Sequence, residues 1–538
     1  MNLRHGMILV VVLIVIAILS LGALSFAQLM ITEREAVEIS VRGMQTRALA
    51  ESGIEAARAL VAQDAESRLE AGGTYDNTGR FRGVVVIDRP EPHDRGRFTL
   101  ISPSPPDGSV GTGLRFGLDD ESNRLNLNAL LLAEKAVAGS GRQLLMGLPG
   151  MTEEIADAIL DWMDPDDETR EYGAEADAYA SFDPPYAPKN GPLHSIEELL
   201  LVQGVTPQLL FGSDVNRNGM VDPGEPTPES LGNDPSDGSM NCGWAAYLTL
   251  YSLESNLQAD GSERININQD DLTKLNEALT SVLGQQPATF IVACRLFGLQ
   301  AAASDPSAGA SGSTSGTNAS ANSRGTSAGN AAGGAAASGG ATGTLDLTQT
   351  PKYKFTTVLD LIGAKVQAKF QGQNQATTLE SPFANSPVAM SSYLPKMMDC
   401  LTINASKVIP GRINVNQASR TVLAGVPGMT SEILEQILSA RTPDPVQADA
   451  SRRYETWLLQ EGIVTLAQMK QMMPFLCGGG SVFRAQSVGY FDQGGPCSRI
   501  EAIIDATNSP PRVIFWRDMS HLGQGYSLET LGMESVLE

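Results

Sequence analysis

The chain reads as an α+β protein. It combines one N-terminal transmembrane and stalk helix, short antiparallel strands toward both ends of the sequence, and between them a large α-helical domain with helix-hairpin-helix-like repeats. Three observations predict this. A charge-free run from Met7 to Met30 continues without proline into an amphipathic stretch. Short β-branched segments at Phe81–Ile87 and Arg97–Ser102 are matched by three alternating segments near the C-terminus. Between them an Arg-x-Asn-x-Asn pattern occurs at Arg124–Asn128, Arg264–Asn268 and Arg412–Asn416, each time followed by helical sequence.

The N-terminal element comes first. Residues 1–6, MNLRHG, form a short polar leader with Arg4 and His5. The run Met7–Met30 spans ~36 Å as a helix, enough for the hydrocarbon core. It is also longer than the apolar region of a secretory signal. Arg4 before it and Glu33, Glu35 and Glu38 after it place the N-terminus in the cytoplasm and the body outside. The rival reading is a cleaved signal ending at the small residues Ser25 and Ala27. From Ile31 the apolar positions Val37, Val41, Met44, Ala48, Ile54 and Ala57 recur near a 3.6 period, and Ala71-Gly72-Gly73 stops the pattern. Residues 31–72 are therefore expected as a stalk helix.

This layout resembles type IV pilin-like proteins, in which a prepilin peptidase cuts after the glycine that closes a short basic leader. The resemblance assigns Gly6 and Met7 as the processing site. Most such proteins carry Glu at the fifth mature position, where this chain has Val11.

Strands are expected across residues 73–121, then a helical repeat domain over 122–476. Copies one and three of the repeat share a hairpin, Leu148–Thr152 before EEIADAILDW and Val426–Thr430 before SEILEQILSAR; copy two keeps only a degenerate LGQQPATFIVACR. Each copy reaches a further helix, SIEELLLVQGV from Ser195, TTVLDLIGAKV from Thr356 and TLAQMKQMMPF from Thr465. Residues 301–345, almost wholly Ala, Gly, Ser and Thr, cannot bury enough apolar surface to offset chain entropy and are expected as a disordered insert. SVFRAQSVGYFD, SRIEAIIDAT and RVIFWRDM, within 477–519, predict a three-stranded antiparallel meander. The tail, 520–538, is expected to be exposed.

The sharpest local motif is Asp214-Val-Asn-Arg-Asn-Gly-Met-Val-Asp-Pro-Gly-Glu225. It has the EF-hand or dockerin-like calcium spacing. Asp214, Asn216 and Asn218 supply side-chain oxygens, Met220 its carbonyl, Asp222 a direct or water-mediated ligand and Glu225 a bidentate one. Gly219 allows the sharp turn; Pro223 and Pro226 oppose a standard exiting helix. The bland alternative is an Asx-Gly surface turn without metal. A second acidic stretch runs from Asp161 to Glu168 and continues to Glu175 and Asp177; its carboxylates repel one another unless a cation sits among them, and Asp164, Asp166, Asp167, Glu175 and Asp177 are the candidate ligands. Calcium is thus the expected cofactor, against a solvated acidic loop.

Charge and chemistry narrow the function. Lys plus Arg number 38 and Asp plus Glu 61, a formal charge of −23. Such a body repels nucleic acid. The LPGMT hairpins resemble helix-hairpin-helix units, and INVNQASRTVLAGVPGMTSEILEQILSAR resembles the tail of a competence-type DNA receptor. A membrane-anchored DNA-binding protein of a competence or type IV pilus system is therefore the alternative reading. Against it, Thr152 and Thr430 replace the second turn glycine, and Glu153, Glu154 and Glu432 fill the first helical turns where a phosphate would bind. No catalytic set emerges: His5, His93, His194 and His521 sit in no HExxH, and there is no GxSxG or P-loop. Cys477 and Cys497 flank a predicted strand and either bridge or remain buried thiols; Cys242, Cys294 and Cys400 complete an odd count of five.

Together these features resemble the K-type minor pseudopilins of type II secretion systems. The matching segments are Asp120–Asn128, LDWMDPDDE at Leu160–Glu168, GAEADAY at Gly173–Tyr179, SIEELLLVQGVT at Ser195–Thr206, RINVNQAS at Arg412–Ser419 and the EAIIDAT and VIFWRD strands. The resemblance implies a tip subunit of a periplasmic pseudopilus. It would start assembly with I- and J-type pseudopilins on the inner-membrane secretion platform, after prepilin peptidase processing. A helical domain inserted into a pilin-like sheet and bound calcium are also implied. The chain is longer than usual members and adds a repeat, the low-complexity insert and the dockerin-like loop.

Overall fold

The structure, a computed structural model, describes residues 3–110, 113–226, 238–300 and 344–533. One helix, α1 (Leu3–Val61), runs for 59 residues. Among the described residues it is the one helix long and apolar enough to cross a membrane. Its side chains from Met7 to Met30 are exposed. Its last turns bury Ala50, Ile54, Ala57 and Val61, spaced four, three and four apart so that they share one face. The helix stops at Val61, short of residue 72, because Asp64 accepts the Ser67 N–H and starts a separate short helix, Ala65–Glu70.

That buried face lies on a seven-stranded antiparallel sheet. Its strands are β1 (Val84–Ile87), β2 (Gly96–Pro103), β3 (Leu114–Arg115), β4 (Asp119–Asp120), β5 (Val482–Phe491), β6 (Ser498–Asp505) and β7 (Arg512–Asp518). The spatial order is β1-β2-β5-β6-β7, with β3 paired to β2 and β4 to β5. The N-terminal and C-terminal strands thus form one sheet, with Val488 opposite Thr99. Phe98, Leu100, Ala485, Ile500, Ala502 and Ile504 face the α1 residues in the main core. The expected strand at Phe81 starts only at Val84, since Thr78–Phe81 forms a helical turn and Gly83 then takes a left-handed φ of 62°. The helix–sheet approach is close. A Cβ at Gly489 would overlap the backbone of Thr46 and Ala50, and one at Gly53 would overlap Ser487.

The chain divides into two compact units, Met1–Ser262 with Ser406–Glu538, and Glu263–Ala405. The helical sequence expected as one domain over 122–476 is therefore split, with the second repeat in a unit of its own. Each Arg-x-Asn-x-Asn opening forms a two-residue strand that pairs in parallel with a strand at the close of its repeat. The pairs are Leu125–Asn126 with Leu248–Thr249, Ile265–Asn266 with Leu401–Thr402, and Ile413–Asn414 with Leu476–Cys477. The last Asn of each motif is a backbone clamp. Asn128 donates to and accepts from the Leu193 peptide, and Asn268 does the same at Phe355. Asn416 donates to the Arg452 and Gly478 carbonyls and accepts from Trp457 Nε1. An Asn amide suits this because it offers donor and acceptor together. In the second unit, buried Arg295 donates to the carbonyls of Asn268, Gln269 and Tyr353. The insert expected over 301–345 lies, up to residue 343, outside the described residues.

One expectation is corrected and one open alternative is decided. The tail is not exposed through its described length: Leu531 is fully buried, and its carbonyl accepts from the Thr99 and Tyr490 hydroxyls. Residues 534–538 lie outside the described residues. Cys477 and Cys497 do not bridge; Cys477 is buried in its two-residue strand and Cys497 is half-buried before β6.

Substituting Gly489 by Val should destabilise the body by about 1–3 kcal/mol through overpacking against α1. Chemical denaturation monitored by circular dichroism measures this, with Gly79→Ala, which meets open space at an ordinary backbone φ, as the comparison.

Candidate metal centres

The Asp214–Glu225 loop follows the short helix Pro207–Phe211. Its fold comes from its own side chains. Asp214 accepts from the Asn218 and Gly219 N–H groups, Asn216 from Asn218 N–H, and Asn218 from Met220 N–H. Asp222 receives both the Asn216 and Asn218 amides, at 2.8 and 2.7 Å. Glu225 reaches back to the Val215, Asn216 and Asp222 N–H groups. The side chains of positions 1, 3, 5, 9 and 12 are therefore in one hydrogen-bonded knot. Asp214 is buried, and burial pushes its carboxyl up; the N–H groups of Gly219 and Asn218 oppose this, and the Glu225 charge adds to it. Arg217, the loop's own cation, turns away to Glu197 at 3.0 Å. Met220 contributes its side chain to a core with Ile101, Val488, Tyr490, Tyr526 and Leu531.

The second acidic stretch lies around the end of the helix Glu153–Met163. On this helix Asp157 and Asp161 are fully buried. Asp157 pairs with Arg142, while Arg170 bridges Asp161 and Asp164. Arg170 satisfies only one oxygen of Asp164; the other, Oδ1, is buried without a partner. Glu175, 5% exposed, has no partner for either oxygen. Its carboxyl is pushed up to about 7, first by burial and then by the charges of Asp161, Asp164, Asp167 and Asp166. Asn190 donates to Asp167 and holds its own Oδ1 buried and unpartnered. Asp166 and Asp167 are exposed, with Asp166 accepting from Glu168 N–H. Asp177 is exposed in the short helix Ala176–Tyr179 and does not join the group's hydrogen bonds.

Among the described residues no three His, Cys, Asp or Glu side chains gather to hold a metal by themselves. A cation at either place needs amide and main-chain oxygens as well, which suits a hard ion of high coordination number. The two places differ: the side-chain oxygens of the Asp214–Glu225 loop are taken by internal donors, whereas the second group holds unpartnered buried oxygens of Asp164, Glu175 and Asn190. Sequence reasoning placed Asp161 at the head of the acidic stretch without naming it a ligand, and missed Asn190. Asp161 was readable as an acid on an apolar helix face, four residues from Asp157; Asn190 lies in a loop with a left-handed φ of 49° and left no pattern.

The hairpins carry their own anions. Thr152 and Thr430 cap the helices Glu153–Met163 and Ser431–Ala440 through the Ile155 and Ile433 N–H groups. The turns use Gly150 and Gly428 at φ 69° and 85°. At the helix Arg420–Ala424 the Asp107 carboxylate accepts from the Thr421 N–H and hydroxyl, both at 3.1 Å. Gly6 and Met7 fall in the first turns of α1.

A long apolar N-terminal helix whose last turns pack on an antiparallel sheet, with a helical body between the strands, defines an α+β protein. Residues 123–211 match the family model of the type II secretion system (T2SS), protein K. The type II secretion system protein K of Pseudomonas aeruginosa PAO1 is 29% identical over 211 residues, 37% of this chain and 57% of that protein, so the match spans little more than half of the relative. The crystal structure of the GspK-GspI-GspJ complex from the enterotoxigenic Escherichia coli type 2 secretion system aligns over 90% of this chain and 99% of that one. It does so at 11% identity and a TM-score of 0.34. The chain is thus similar to K-type minor pseudopilins, and the family match covers the segment that holds the second acidic group.

The Glu175 carboxyl has an ordinary value near 4.5 and sits near 7 in the fold. The folded chain then holds a proton that the unfolded chain has lost, so this group's contribution is complete below pH ~4.5 and is lost as pH rises through ~7. In chelator, melting temperature should fall between pH 5 and pH 8, calcium should restore it at pH 8, and Glu175→Gln should flatten both responses. Differential scanning calorimetry across that range is the measurement.

Proposed function

We propose that this chain is a minor pseudopilin at the tip of a type II secretion pseudopilus, initiating its assembly and supporting protein export across the cell envelope. The observation that carries this is the protein K match over residues 123–211 in a chain whose N-terminal helix is apolar and exposed from Met7 to Met30. α1 anchors the protein in the inner membrane with its start in the cytoplasm and its body in the periplasm. The I- and J-type minor pseudopilins are its partners, and the secretion platform is its base. Val11 supports the tip position. In a fibre, a carboxylate at that place would answer the terminal amine of a subunit above, and an apolar residue leaves no such bond to fill. The body acts by binding and assembly rather than catalysis. Calcium fills the two oxygen-rich centres, with Asp214, Asn216, Asn218, Met220, Asp222 and Glu225 in one and Asp164, Glu175 and Asn190 in the other. Bound there, it supplies the positive charge that these centres lack.

Processing by prepilin peptidase should cut between Gly6 and Met7. Peptide mapping of protein from the native membrane should find a mature start at Met7. An intact Met1, or a start near Gln28 with the protein released from the membrane, would remove this reading.

A further inference from the structure

The sheet has a second face, turned away from α1, and the helical body covers it around a cavity of about 170 Å³. Ile500, Ala502 and Ile504 of β6 point into the main core, so Glu501 and Ile503 point the other way, with Arg517 and Phe515 of β7 opposite them. Every residue that lines the cavity belongs to one compact unit. Its mouth is built from two arginines. Arg217 and Arg517 both direct a guanidinium at one oxygen of Glu197, at 3.0 and 2.9 Å. All three side chains are partly exposed, whereas Arg115, Arg124 and Asp119, deeper in, are nearly buried. Arg217 lies over Phe211 at 4.3 Å and Arg517 over Phe515 at 5.2 Å, and Tyr251 meets the Phe515 ring at 5.7 Å. Arg217 holds a left-handed φ of 56°, uncommon outside glycine, and buried Arg499 fixes it there by donating to the Asn216 and Arg217 carbonyls.

Charge separates the two ends of the cavity. Deeper in, Arg115, Arg124 and Arg484 answer Asp119, Glu121 and Glu501 one for one. Asp214 has both oxygens filled by N–H groups and feels the Arg499 charge. At the mouth two guanidiniums share one carboxylate, which leaves one positive charge over. Burial opposes the charge on Glu197, yet its own N–H and the two arginines prevail and hold its carboxyl below the usual range. The deep end has unmet polar atoms instead: Arg115 Nε and Asn123 Oδ1 are buried without a partner.

We propose that this cavity binds a ligand with a single carboxylate on an apolar, ring-sized body, the chemistry of an aromatic C-terminal residue, held at its acid end by Arg217 and Arg517. Each guanidinium offers five N–H donors, and Glu197 meets each of them through a single oxygen, so donors remain for a second carboxylate. The apolar body fits between Phe211, Tyr251 and Phe515; a dry cavity of ~150 Å³ is large enough for benzene. A monoanion cancels the surplus charge at the mouth. A phosphate dianion would exceed it and be repelled by Glu197. An amide farther along the ligand would supply the acceptor and donor that Arg115 Nε and Asn123 Oδ1 lack. In a chain of net charge −23, the local surplus at this mouth draws an acid in.

The test is titration calorimetry on full-length protein in detergent, with N-acetyl-phenylalanine, its amide and inorganic phosphate as probes. The acid should bind, and the amide and phosphate should bind at least about tenfold more weakly. Arg517→Gln should weaken the acid at least about tenfold. Glu197→Gln, which releases both guanidiniums, should tighten it at least about threefold, a gain that a merely structural Glu197 would not give. Circular dichroism melting checks that each variant folds. A hexapeptide ending in a free phenylalanine separates the sources of the acid: binding like the probe assigns a polypeptide end, and no binding assigns a small free acid. If the acid does not bind at millimolar concentration, if the amide or phosphate binds as well, or if folded Arg517→Gln or Glu197→Gln binds as the wild type does, the carboxylate site is wrong.

Discussion

The fold depends on how a long excursion begins and ends on neighbouring strands. The chain leaves the sheet at β4 and returns at β5, and these two strands pair, with Phe483 opposite Asp120. The neck is closed by buried charge. Asp120 accepts from Gly480 N–H at 2.7 Å and from the Asn414 amide at 3.1 Å. Glu121, fully buried, pairs with Arg484 at 2.6 Å, and Asp119 pairs with Arg124 at 2.6 Å. Removing one partner would strand a buried charge, which costs several kcal/mol, roughly 3–5. Apolar contacts tolerate sliding, whereas these pairs accept one register only. That specificity lets α1 and its sheet form a single core from segments hundreds of residues apart in sequence.

Within the excursion, the repeated Arg-x-Asn-x-Asn opening reproduces the same device on a smaller scale. Each opening strand meets its own closing strand in parallel, and the last Asn ties down a distant peptide. In the third repeat Arg412 pairs with Glu254 and Glu455, and Asn414 reaches Asp120 at the neck. The repeat closure and the neck of the insertion are therefore one hydrogen-bonded system. Local closure by parallel pairs needs a long connection, which the helices provide.

What was readable in the sequence follows from the range of each signal. Periodicity marked the later turns of α1 and strand β7, where exposure follows the sequence pattern; β5 and β6 are buried at nearly every residue, so their apolar–polar alternation does not become alternating exposure. The opening motifs were readable as repeats, yet their partners Leu248, Leu401 and Leu476 were not, since two-residue strands carry no pattern. The stalk's end was lost because Asp64 reads as one more polar helix position until its cap bond to Ser67 is seen. The tail looked polar because its anchoring runs through the Leu531 carbonyl and the Tyr526 hydroxyl, and a main-chain bond leaves no side-chain signature. At the acidic centre, composition marked Asp164 and Glu175. The unpartnered state of Glu175 is a tertiary fact, set by where Arg170 spends its charge.

The same reasoning explains how sequence that resembles a DNA-binding hairpin serves a different end. A helix-hairpin-helix turn holds phosphate when its N–H groups are open and the surrounding field is positive. Here Thr152 and Thr430 fill their own helix starts, Asp107 fills a third, and the body carries a net charge of −23. What the two segments share is a glycine turn before a threonine-capped helix, with Ile155, Ile159 and Trp162 buried in one copy and Ile433 and Ile437 in the other. At Arg420–Ala424 the group that answers the helix start is the Asp107 carboxylate, and at the two hairpins it is a threonine hydroxyl. Each satisfies helix N–H groups from inside the chain, so the contacts that fix these helix starts also occupy donors that an outside anion would need.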